Sequence, residues 1–368
     1  MSKNTPLTYW DYLKLDRLLA LQTGLAGDDA LLMPDELHFI VVHQVYELWF
    51  KLILRELRMA RDHLAAPRVP EEAVPNVVHH LSRVNAILKL AVEQFGVMET
   101  LTPQDFLDFR DKLVPASGFQ SFQMREIEIL LGLRDSQRVV EGEMDPLDFI
   151  RRMGEGSPTG KMAWRRIEQA RAETSLRTAL HDWLYRTPIQ GSSPADPGDE
   201  AAVEGFLQEY VAATEQQHAA QARQMLDVQG GDAKLVQARV EDGVRRGREF
   251  LFADDVPQPE RSRTRRIRAG LLFIESYREL PLLAWPRLLV DTIVELEEHL
   301  VLWRTRHARM VERTIGRRMG TGGSAGVDYL DQTTRYRIFV ELWAVRTLLL
   351  PRRALPELRN PTAYGFAR

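Results

Sequence analysis

The residues of this chain whose types and spacing suit chemistry are two histidines, one arginine and a glycine-rich run. His307 shares a helical face with Ile293, Leu296, Leu300, Trp303, Val311 and Thr314 when residues advance by about 100° each. An imidazole on such an apolar face is either a core side chain bonded to a backbone carbonyl or a group that binds something. Fourteen residues later comes Thr321, inside Gly320-Thr321-Gly322-Gly323-Ser324-Ala325-Gly326. Four glycines in seven residues read as mobile or ligand-hugging backbone rather than a plain helix connection. The run lacks the trailing lysine of a phosphate-binding loop and follows a helix instead of a strand, which argues against nucleotide binding.

The second histidine, His43, sits in Phe39-Ile40-Val41-Val42-His43-Gln44-Val45-Tyr46-Glu47-Leu48-Trp49-Phe50. Leu37, Val41, Val45, Leu48 and Leu52 form one stripe there, and Phe39, His43, Tyr46 and Phe50 another on roughly the opposite side. A helix apolar on two sides is expected to be buried on both, or to line a cavity with one. His43 is thus either packed in the core or the far wall of a pocket shared with His307. Phe106 and Arg110 lie four apart and share a face. An aromatic ring beside a guanidinium suits a ligand with a flat ring and a carboxylate, which arginine grips bidentately. The alternative is a surface pair, or a salt bridge to Asp111 or Glu126. Tyr9, Trp10 and Tyr12 crowd the chain start, and a short terminal helix orders only when docked, on its own body or on a neighbouring subunit.

These residues need a scaffold, and nearly every apolar pattern has a helical period. Helices are expected at about 9–23, 35–65, 73–96, 103–113, 120–133, 165–186, 199–228, 233–250, 263–277, 284–317 and 329–348, from the apolar period and the proline signals. The stretch from Thr187 to Gly198, with three prolines and two glycines, reads as a linker. The expected architecture is all-α: one helical domain over 1–368, with an inserted helical arm at about 199–258. At 368 residues with 44% hydrophobic residues the chain has ample material for a core. A formal charge of −3 leaves no footprint for nucleic acid or an anionic membrane. The basic run from Arg261 to Arg268 reads as a solvated helix start. With no cysteine, disulfides, zinc–thiolate sites, iron–sulfur clusters and thiolate-ligated haem are excluded. No run approaches the roughly eighteen uninterrupted apolar residues of a membrane span, and the first six residues lack the apolar region of a signal peptide. A soluble cytoplasmic protein is the expectation.

Four segments in this order, YWDYLKLD, HFIVVHQVYELWFKLILREL, FLDFRDKLVPASGFQSFQMREIE and WRTRHARMVERTIGRRMGTGGSAGVDYL with the tail RYRIFVELWAVRTLLLPR, resemble the tryptophan 2,3-dioxygenase family. The resemblance implies a haem-dependent dioxygenase that opens the indole C2–C3 bond of L-tryptophan with O₂ to give N-formylkynurenine. It implies haem b, ferrous for activity, with His307 as the sole axial ligand and Trp303, Ser117 and Gly118 against the haem. It assigns His43 to the indole N–H as the distal, catalytic histidine, and Phe39 and Phe106 to the indole ring. Arg110 falls on the substrate carboxylate and Thr321 on its charged end, with Ser117 and Gly118 bordering the substrate. Tyr9 and Tyr12 match tyrosines that reach a neighbouring subunit's site, which implies a homotetramer with N-terminal helix exchange. The sequence departs from the family at Trp10, where a small residue is usual, and matches loosely from about 135 to 280. Trp10 is the one feature that raises an alternative: a monooxygenase on the same scaffold acting on a modified, for example methylated, tryptophan.

Overall fold

The computed structural model describes residues 6–140, 145–230 and 232–365; residues 1–5, which carry most of the signal-peptide reading, lie outside them. Among the described residues there is no β-strand, only an isolated bridge between Ile189 and Ser192. The fold is all-α. Of three long helices, Ala73–Met98 packs against both Pro34–Ala65 and Ala284–Ile315, and the three carry most of what positions the site.

Each forms for a local reason. Pro34 occupies the first turn of its helix, where a missing N–H costs nothing. The Glu36 side chain turns back to accept from the Met33 backbone N–H at 3.3 Å, a carboxylate at the positive end of the helix. Val74, Val77, Leu81, Leu88 and Phe95 recur at helical spacing on Ala73–Met98, and all are buried. Burying each such side chain contributes roughly 1.5–3 kcal/mol. The interfaces also carry specific polar ties. Tyr46 Oη donates to the Ala91 carbonyl at 2.9 Å, and Asn85 Nδ2 to the Thr292 carbonyl at 3.0 Å.

Several helices end where tertiary hydrogen bonds capture the backbone. The expected helix over 165–186 is two, Pro158–Ala172 and Leu176–Arg186. Between them Glu173 is drawn to Arg58 and Arg61, at 3.0 and 2.8 Å, and Ser175 Oγ accepts from Thr178 N at 3.1 Å to start the next helix. The expected helix over 329–348 is likewise two, Val327–Thr333 and Val340–Arg346. Here the buried carboxylate of Glu297 accepts from the backbone N–H groups of Ile338 and Phe339 and from Trp343 Nε1. At the N-terminus Lys14 adopts φ 54°, dividing the expected 9–23 helix into Tyr9–Leu13 and Leu15–Leu18. Helix Pro146–Gly154 was not anticipated; Asp145 caps it by accepting from Leu147 N at 2.7 Å.

Of the two outcomes expected of Pro34–Ala65, the stripe of Phe39, His43, Tyr46 and Phe50 does line a cavity, whereas burial of the helix on both sides does not hold within one chain. Its inner face is buried through Val42, Tyr46, Phe50, Ile53 and Leu57, but Leu37, Val41 and Leu48 are exposed. The reason is that the core and pocket lie on one side only. This helix is long and apolar enough to cross a membrane by length and composition. Its inner face instead carries Glu56 and Arg61, both buried and ion-paired, as in a core helix. Asp199–Gln229 and Ala233–Leu251 pack on each other. The first is rooted in the core through Val203, Phe206, Leu207 and Tyr210, whereas Met225, Val228 and Leu235 near the turn are exposed.

Candidate active site

One pocket gathers nine of the residues singled out from the sequence: Phe39, His43, Phe106, Arg110, Ser117, Gly118, Trp303, His307 and Thr321 all line it. Tyr9 and Tyr12 do not. They are 70% and 72% exposed, and Trp10 between them is also exposed.

His307 stacks on Phe95, with ring centroids 5.7 Å apart and planes 17° apart, and sits 5.2 Å from Trp303. Burial holds its pKa down at about 4, helped by His43, Arg304 and Arg125 nearby, so the ring is neutral at ordinary pH. Among the described residues no hydrogen bond reaches it, and it borders the pocket. A core histidine bonded to a carbonyl is therefore not what the fold makes of it. A neutral, unpartnered imidazole facing a cavity is the form in which histidine binds a metal.

His43 differs. Its Nδ1 lies 2.8 Å from the Phe39 carbonyl, one turn back on its helix, so that nitrogen carries the proton and donates. Nε2 keeps its lone pair. Desolvation by the surrounding pocket walls lowers the His43 pKa as well, so Nε2 stands ready to accept a hydrogen bond rather than give one. Phe39 lies beside His43 with centroids 4.0 Å apart and meets Phe106 at 5.8 Å. Together these rings make an aromatic wall suited to a flat ring.

Arg110 forms neither anticipated salt bridge. Glu126 is taken by Arg166 at 2.6 Å and approached by Arg58 at 3.7 Å. Arg110 Nη2 instead donates to the Met319 carbonyl at 2.5 Å, and its Nε is buried without a partner. Thr321 Oγ1 donates to the Ala116 carbonyl at 2.6 Å. The glycine-rich run folds on itself through Gly320 N to the Ser324 carbonyl and Gly323 N to the Gly320 carbonyl, at 2.9 and 3.0 Å. Gly322 lies so close to Ser117 that a Cβ there would meet Ser117 Cβ at 2.6 Å. Ser117 opens the short helix Gly118–Gln120, its Oγ accepting from Phe119 N at 3.3 Å.

Sequence reading missed a cluster at the pocket's inner end. Arg125 and Arg304 line the pocket, and both are held by Glu128. The only signals were Arg125 and Glu128 three apart on an apolar helix, Phe122–Leu131, and Arg304 one turn before His307. Tyr329 also lines the pocket; burial pushes its phenol up to about 12. Four buried donors in this wall, Arg110 Nε, Arg125 Nε, Trp303 Nε1 and Tyr329 Oη, have no hydrogen-bond partner. Leaving such groups unmade costs roughly 1–3 kcal/mol each, so a site that retains several is built for a ligand with acceptors. Among the described residues the one carboxylate in the wall, Glu47, is occupied by Ser121 Oγ and Gln123 Nε2, both at 2.7 Å. The pocket is apolar and aromatic, with its free polarity biased toward anions.

Comparison with known proteins agrees with this geometry. The family model for tryptophan 2,3-dioxygenase matches residues 1–349. The tryptophan 2,3-dioxygenase of Sorangium cellulosum is 47% identical over 98% of this chain and 87% of its own length. Tryptophan 2,3-dioxygenase 2 of Ralstonia nicotianae is 47% identical over 98% of each chain. The tryptophan 2,3-dioxygenase of Alteromonas mediterranea is 36% identical over 97% of this chain and 96% of its own. Coverage of this extent includes the loosely matching middle segment, and the chain belongs to the tryptophan 2,3-dioxygenase family.

Proposed function

We propose that this chain is a haem-dependent tryptophan 2,3-dioxygenase, converting L-tryptophan and O₂ to N-formylkynurenine by opening the indole C2–C3 bond. The observation that carries this reading is His307: half-buried, held neutral and without a hydrogen-bond partner, on the wall of a pocket whose buried unpartnered groups are donors.

The residues fit a haem. His307 offers a neutral nitrogen for the iron, Phe50, Phe95 and Trp303 offer flat apolar surface, and the unpartnered donors of Arg125 and Tyr329 suit an anionic edge. Ser117 and Gly118 border the same space. When bound, the haem supplies the ferrous iron that activates O₂. The protein's own residues then bind and orient. Arg110 pairs with the substrate carboxylate, exchanging its bond to Met319 for a charge-assisted one. Phe39 and Phe106 hold the indole faces, and His43 Nε2 accepts the indole N–H. Fixing both ends of the substrate holds C2 and C3 in one place, a positional gain that in intramolecular reactions is worth several kcal/mol. Thr321 and the glycine run close over the amino-acid end and keep water out.

The exposed Leu7, Tyr9, Trp10 and Tyr12 support docking of the N-terminal segment on a neighbouring copy, in a homotetramer that exchanges these helices. The absence of cysteine fits a reducing compartment, and the cytoplasm is the proposed location. The test is turnover of L-tryptophan under ¹⁸O₂ with mass spectrometry of the product. Two labelled atoms without added reductant are expected. One labelled atom, with dependence on a reductant, would replace this reading by the monooxygenase on a modified tryptophan.

A further inference from the structure

Glu128 is 1% exposed and accepts from three guanidiniums. Arg125 Nη1 reaches its two oxygens at 3.1 and 2.9 Å, Arg138 Nη1 lies at 2.5 Å, and Arg304 Nη2 at 2.6 Å. All three arginines are themselves buried. Arg138 has a second carboxylate, Asp135, at 3.3 Å near the surface. Among the described residues Arg125 and Arg304 pair only with Glu128, and they are the two that line the pocket. The cluster therefore holds more positive than negative charge, out of water, on the pocket side. Buried charge in excess is tolerated where something of opposite sign completes it. Two details point in the same direction. Arg125 Nε and Tyr329 Oη are buried in this wall without partners, and the Arg304 guanidinium is braced over the Tyr336 ring, 4.7 Å from its centroid.

We propose that Glu128 is a positioning residue for the cofactor: it clamps Arg125 and Arg304 side by side so that their uncompensated charge meets the carboxylates on the haem periphery. This rests on the haem reading above. Glu128 itself does not line the pocket. It acts by overcoming the repulsion between two guanidiniums and fixing their direction, which pre-organises an anion site on rigid helices.

The test separates charge recognition from folding. Haem, and haem whose two carboxylates are capped as methyl esters, are each titrated into the full chain produced without haem, following Soret absorbance. Wild type is expected to bind haem more tightly than the diester. Glu128→Gln should weaken haem by about tenfold or more while changing diester affinity less than about threefold, which a purely structural defect would not do. Arg304→Gln, which leaves Glu128 paired to Arg125 and Arg138, should show the same selectivity and serves if Glu128→Gln does not fold. Equal losses for both probes in the folded variants, or a wild type indifferent to esterification, would overturn the role of Glu128 and leave the haem reading standing. A wild type that takes up neither probe would overturn both.

Discussion

Arg110 Nη2 is bonded to the carbonyl oxygen of Met319, the residue that leads into the glycine-rich run. The group proposed to grip the substrate carboxylate thus also latches the loop proposed to close over it. A carboxylate competes well for this guanidinium, because a charged acceptor outbids a neutral carbonyl. Arg110→Leu removes both contacts and is expected to raise KM about tenfold to a hundredfold, from a charge-assisted bond worth roughly 1.5–3 kcal/mol. Arg110→Lys should recover little, since lysine lacks the fork that serves two acceptors at once. Steady-state kinetics with L-tryptophan decide it; an unchanged KM in Arg110→Leu removes this residue from the site.

The two histidines should separate cleanly. His307→Ala takes away a neutral imidazole that lines the pocket without a hydrogen-bond partner and is expected to yield protein without a stable Soret band. His43→Ala loses a side chain already tied to the Phe39 carbonyl and should retain haem while losing activity by about ten- to hundredfold, in keeping with one lost hydrogen bond and poorer orientation. Haem content per chain and turnover are the two measurements. Loss of haem in both variants would mean that both rings ligate the iron.

The site was readable in the sequence where helical period alone decides which residues share a face. His307 with Trp303, and Phe106 with Arg110, needed no more than that. What escaped was set by partners far apart in the chain. Nothing local to Glu128 announces that Arg138 and Arg304 converge on it. The helix breaks follow the same logic: Glu297 captures the backbone at Ile338 and Phe339 from another helix, and a 3.6-residue pattern continues across such a break unmarked. The exposed stripe of Leu37, Val41 and Leu48 shows the converse limit, because apolar spacing tells that a face is to be covered but not by what.

Gly322 sets how closely the loop can close. A Cβ there would meet Ser117 Cβ at 2.6 Å and Ser117 Oγ at 2.9 Å, near the backbone, where little can give. Gly322→Ala should displace the loop and raise KM by about three- to tenfold, with the melting temperature nearly unchanged, since surface loop changes are usually worth within about 0.5 kcal/mol. The double variant Gly322→Ala with Ser117→Gly removes both clashing atoms and should recover KM beyond what Ser117→Gly alone shows. Absence of that recovery would place the loop's limit elsewhere.

Acid should weaken the haem-free protein through His307. Its pKa is held at about 4 against an ordinary 6.5, chiefly because burial penalises the charged ring. Between those values the unfolded chain binds a proton that the folded chain refuses, so stability falls as pH drops through this window and levels off below it. The full difference corresponds to roughly 3 kcal/mol. His43, also depressed, adds to the slope in the same direction, so the wild-type profile alone does not isolate His307. The measurement is urea unfolding of wild type and His307→Gln, both without haem, from about pH 7 to about pH 4. Wild type should lose roughly 3 kcal/mol relative to the variant across that range. Parallel profiles would mean that the folded protein protonates this ring as readily as the unfolded chain does, and a ring so easily charged is not the desolvated nitrogen that the proposed iron bond requires.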